Sequence, residues 1–267
     1  MRRARSLVTV AVFSVLMTGC GGEKAGDERP SGPARAAVAT TETASPGAYR
    51  ELDAVPGAGA LAGVVTIAGP VPSLKPHPIN ADPDVCGHGE QPNLSLRLGK
   101  DGRIANAAVW LVDVAAGKKW DLPDAPLDQR KCEFVPRVLL ARSGVPVTFM
   151  NGDPVNHNVH AYDTSNATLF NVALPLKDVK LTQTFHAPGI VRIKCDAHGW
   201  MLGWVVVAPT PYAAVTGSDG TFHLAGVPPG AHRLHVWHEL LGEKEVAVNV
   251  PAGAESTVDV SLSITGA

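Results

Sequence analysis

Aromatic residues are scarce in this chain, at 5% of 267 residues, and charge of either sign is thin, at 18% with a net of -2. Without a basic run or a strong positive balance, the footprint of a nucleic-acid binder is missing. No segment keeps a 3.6-residue apolar period beyond two turns, which argues against a helical bundle or coiled coil. Solenoid repeats are lacking as well. Cysteine occurs only four times, as Cys20, Cys86, Cys132 and Cys195. These spacings exclude zinc fingers, C-x-x-C redox pairs and haem-attachment sites, so each cysteine needs its own explanation.

What the chain has in quantity is glycine and proline, 27 and 22 residues. Such punctuation suits short strands joined by turns. Short apolar stretches recur at 61–68, 104–114, 137–141, 145–151 and 203–208. Asp101-Gly102 and Asp219-Gly220 mark tight turns, because glycine accepts the positive φ such turns need. The expected class is all-β, built of sandwiches, with a boundary near residue 210 at Pro209 and Pro211.

The N-terminus carries Arg2, Arg3 and Arg5, an apolar run from Leu7 to Met17, and then Thr18, Gly19 and Cys20. A basic start before a short apolar stretch is an export signal, too short to span a bilayer comfortably. Its end resembles the lipobox of bacterial lipoproteins, with Met17 departing from the leucine that motif prefers. The resemblance implies a signal over 1–19, lipidation at Cys20, and a membrane-anchored protein in the periplasm or at the cell surface. Residues 20–59 are mostly small and polar and are expected to form a flexible linker. In an exported chain the default for Cys86 and Cys132 is a disulfide; a metal site formed by them with His88 is the rival.

The chemically informative stretch is Cys195-Asp196-Ala197-His198-Gly199-Trp200-Met201, just before an apolar strand. It supplies a thiolate, an imidazole and a thioether, soft donors that suit copper. A blue-copper centre needs one more imidazole. Candidates are His157 and His160 in Asn156-His157-Asn158-Val159-His160, after a turn at Gly152, Asp153 and Pro154. Chemistry alone does not choose between them. Zinc would accept the thiolate and imidazoles, but a thioether is a poor zinc ligand.

Residues 132–208 resemble a cupredoxin of the amicyanin and plastocyanin type, in a V-x-F-x-N strand, a P-x-x-H-N-V-H segment and a C-x-x-H-x-x-M loop. The resemblance implies a Greek-key sandwich with one type 1 copper held by His157, Cys195, His198 and Met201. His160 matches a non-ligand position. Asn158 matches the residue tying the ligand loops together, and Gly199 departs from the proline of amicyanin-like loops. The family exchanges electrons through an exposed edge of the loop histidine, here His198, with Trp200 as docking surface; Trp204 could join it or lie in the core.

Residues 210–267 contain Asp219-Gly220-Thr221-Phe222 and Val227-Pro228-Pro229-Gly230-Ala231-His232. They resemble a carboxypeptidase-regulatory-like, transthyretin-type sandwich, in which first strands read like Gly63-Val64-Val65 and Ala107-Ala108-Val109-Trp110-Leu111. With a boundary near residue 210 and residues 104–114 supplying the first cupredoxin strand, residues 60–209 are expected to form the copper domain with an N-terminal β extension. In an alternative arrangement the copper domain is inserted, and residues 61–114 pack with 211–263. His232, His235 and His238, three apart on a strand, point to alternate faces and cannot clamp one metal.

A site filled by protein ligands disfavours Lewis-acid hydrolysis. The expectation is therefore an electron carrier rather than an enzyme, with redox proteins as partners, a membrane contact through the lipid, and neither nucleic acid nor a small-molecule substrate. Copper storage or delivery is the first alternative, and a structural module with a vestigial site the second.

Overall fold

The computed structural model describes residues 49–264 apart from Pro123; the signal segment, Cys20 and residues 20–48 of the linker lie outside the described residues. The chain is all-β, with two sandwiches that each enclose an apolar core.

The first sandwich packs a five-stranded sheet, in the order Thr168–Leu174, His157–Tyr162, Gly189–Lys194, Leu202–Ala208 and Val138–Arg142, over a four-stranded one. The latter runs Lys180–Thr184, Pro146–Asn151, Leu127–Arg130 and Glu133–Val135. Phe149, Val159, Ala161, Ile193 and Val205 fill the space between them, all fully buried.

In the second sandwich the sheet Ala213–Val215, Ala108–Leu111, Gly230–His238 and Gly242–Val250 faces one built on Gly59–Ile67. Gly59–Ile67 pairs with Thr221–Val227 on one side, and with Glu255–Thr257 and Val260–Leu262 on the other. Period-two alternation is plain in Thr221–Val227, where Phe222 and Leu224 point inward and Thr221, His223 and Ala225 outward. Gly63 cannot be larger, since a Cβ there would lie 1.8 Å from the Val258 carbonyl oxygen. Gly220, at φ +69°, makes the turn expected of Asp219-Gly220.

Strand pairing thus gives 59–67 and 108–111 to the same sandwich as 213–262, where Val109 and Leu111 pack with Leu234 and Val236. That division differs from a single boundary at residue 210. Residues before 59 also take part in the fold, because Arg50–Glu51 pairs with Ala116–Gly117 and the Tyr49 hydroxyl donates to the Lys118 carbonyl. The Tyr49 ring meets those of Trp120 and Tyr212 edge to face.

The sandwiches meet through Ala108, Val138, Val206 and Trp237, with Trp204 edge-on to Trp237 at 5.0 Å. Beside this contact the half-buried Arg137 guanidinium bonds Glu239 at 2.8 Å and donates to the Leu202 carbonyl.

Candidate metal centre

His157 opens a strand, and Cys195 follows the neighbouring one, in which Lys194 lies across from His160. Adjacent strands therefore deliver both residues to one end of the five-stranded sheet. The loop after Cys195 turns back on itself, as the Met201 N–H donates to the His198 carbonyl at 2.9 Å. Asn158 ties the two segments together, its Oδ1 accepting from the Asp196 N–H at 2.6 Å.

Three donor atoms converge. His157 Nδ1 lies 3.0 Å from His198 Nδ1, and Cys195 Sγ lies 3.7 Å and 3.6 Å from those two nitrogens. His157, Cys195 and His198 are all fully buried, and Met201 lies in the same core at 1% exposure.

The far nitrogens are held as well. His157 Nε2 bonds the Asp153 carboxylate at 3.0 Å, and His198 Nε2 bonds that of Asp82 at 2.9 Å. With each Nε2 donating to a carboxylate, both Nδ1 atoms are bare. Two nitrogen lone pairs and a sulfur then face one another in a water-excluded space. A cation satisfies that arrangement, and a point equidistant from the three donors lies about 2 Å from each, the length of a metal–nitrogen bond.

Burial lowers the His157 pKa, outweighing the Asp153 bond and reinforced by His198, so the ring is held neutral, the form that ligates metal. Burial raises the Cys195 thiol, against backbone N–H donors that favour the thiolate. A bound metal would displace that proton outright.

Cys86 and Cys132 are bonded to each other, which leaves neither for a site with His88. His160 faces away from the three donors, into a polar group with Asp196 at 3.0 Å and Thr168 at 2.9 Å. It stands three positions after His157, which on a strand means the opposite face. Trp200 is half-buried, edge-on to His198 at 5.2 Å, and its indole N–H donates to the Cys132 carbonyl. Trp204 belongs to the contact between sandwiches. His232, His235 and His238 have separate partners, in Pro228, the Glu243 and Glu245 carboxylates, and the Leu240 N–H.

One expectation is corrected. His198 presents no exposed edge, because the chain around Asp82 lies over it. Sequence reasoning also passed over Asp153 and Asp82. Asp153 had a local signal, a carboxylate four residues before His157; Asp82 is 116 residues from its partner and had none.

No family model matches the chain, and no curated protein does. Among solved structures, a novel purple cupredoxin from Nitrosopumilus maritimus is 30% identical over 28% of this chain and 80% of its own, with a TM-score of 0.26. A reduced mutant of amicyanin is 28% identical over 31% of this chain and 80% of its own, with a TM-score of 0.29. A reduced Cu(I) form of another amicyanin mutant is 27% identical over 33% and 86%, also at 0.29.

Proposed function

We propose that this protein binds one copper ion through His157, Cys195, His198 and Met201 and carries single electrons between redox proteins outside the cytoplasm. The observation that carries this reading is the convergence of two imidazole nitrogens and one sulfur in a buried space. Copper would supply a one-electron couple. The residues' part is to keep the donor atoms in place between its two states. Asn158 joins the two donor-bearing segments, and Asp153 and Asp82 fix the imidazole rings.

With His198 covered, we place partner docking at Trp200, which is edge-on to His198 and partly exposed. The Cys86–Cys132 bond supports an oxidising compartment, in keeping with an export signal and a lipid on Cys20. Delivery of copper would require the cover to open at every transfer, so the buried site favours electron transfer. Voltammetry of the copper-loaded protein tests this. The reading expects a reversible one-electron wave with copper retained over repeated cycles; release of copper on reduction would overturn it.

A further inference from the structure

The cover over His198 is a built element. His77–Pro78 pairs with Glu90–Gln91, and the Ile79 N–H donates to the Gly89 carbonyl at 2.9 Å. Between them the helical turn Pro83–Cys86 follows Asp82, which adopts φ 45° and ψ 50° in the left-handed region. In that conformation the Asp82 carbonyl accepts from the N–H groups of Val85 and Cys86, while its carboxylate reaches His198 Nε2 at 2.9 Å. Ile79 and Val85 pack on the core of the first sandwich.

The second carboxylate is joined to the first. Asp153, which holds His157, also accepts the backbone N–H groups of Lys131 at 2.7 Å and Cys132 at 2.9 Å. Cys132 is in turn bonded to Cys86, four residues after Asp82. Sulfur atoms of that disulfide and a ring nitrogen of His198 lie within 4.8 Å of one another. One covalent link therefore ties the supports of both imidazoles together.

We propose that Asp82 is a positioning residue for the metal centre. It clamps the far nitrogen of His198 as Asp153 clamps that of His157, and the disulfide-pinned segment Ile79–Gln91 seals the histidine from solvent and partners. This inference rests on the copper reading above. A carboxylate on the outer nitrogen strengthens the ligand and favours the more highly charged oxidised metal. Removing its charge should raise the reduction potential.

Two measurements on the full chain separate the cover from the metal. In the metal-free protein, carbethoxylation of His198 followed by peptide mass spectrometry should be at least about tenfold faster in Asp82→Ala than in the wild type. Equal rates, or a wild-type rate matching that of a free histidine peptide, would overturn the cover whether or not copper binds. In the copper-loaded protein, Asp82→Asn, which keeps the shape and removes the charge, should change the Cu(I):Cu(II) affinity ratio about tenfold towards Cu(I). That is a rise of about 59 mV for one electron, and Asp82→Glu should recover most of it. A potential unchanged in Asp82→Asn would overturn the positioning role. A wild type that yields no thiolate–copper band defeats the copper reading instead, and the modification rates still decide the cover.

Discussion

The two sandwiches follow one folding rule and differ in what they do with buried polarity. In the second, Thr216 is typical of the buried polar residues: its hydroxyl donates to the Ile104 carbonyl and accepts the Ala107 N–H, closing gaps in backbone pairing. In the first, Asn151, Asp153, His157, Asn158 and His198 gather at one end of the core, bonded to one another and to the loops around them. Burying polar groups is costly unless they are satisfied, and a set with two bare nitrogens and a sulfur is satisfied by a cation. Fold alone therefore does not distinguish the sandwiches, whereas the polar end of one core does.

The comparison can be broken at the second core first. Leu234 is fully buried among Val109, Leu111 and Val236, and Leu234→Ala should cost about 2 to 5 kcal/mol of stability. Chemical denaturation would measure that loss. The visible spectrum of the copper-loaded protein should stay unchanged below the unfolding transition; a changed spectrum would mean that the second sandwich shapes the metal centre.

Acid probes the contact between the two. Burial, helped by the nearby Arg137 charge, lowers the His238 pKa to about 4. As pH falls below about 6.5 the unfolded chain takes up a proton that the folded state refuses, so stability is lost between pH 6.5 and 4. Relative to His238→Gln, the wild type should lose about 3 kcal/mol across that window. Parallel stability profiles for the two proteins from pH 7 to 4 would contradict this.

Within the first sandwich, Asp153→Asn should weaken copper binding about 10- to 100-fold by loosening His157. Competition with a chelator would read the change. An equal loss of affinity from an exposed carboxylate such as Glu243, which bonds His235 in the second sandwich, would erase the distinction between the regions.

Much of this was legible in the sequence. Alternating Val, Leu and Phe with Gly turns placed the strands Pro146–Asn151 and Leu202–Ala208 within a residue or two. The motif P-x-x-H-N-V-H together with C-x-x-H-x-x-M contains His157, Cys195 and His198, whose donor atoms converge. The covering segment was not legible. Ile79–Gln91 has no periodic pattern, its hold on His198 spans 116 residues, and Asp82 is aimed by a left-handed conformation that composition does not announce. The partner of Gly59–Ile67 was likewise settled only by long-range pairing, with Thr221–Val227 over 150 residues away.

Whether His157, Cys195 and His198 hold copper through a thiolate is decided by titrating the metal-free protein with Cu(II) and following visible absorption and EPR. One equivalent should bind, with an intense thiolate-to-copper band that is lost in Cys195→Ser. A colourless protein that takes up zinc alone, or a band that survives that substitution, would contradict it.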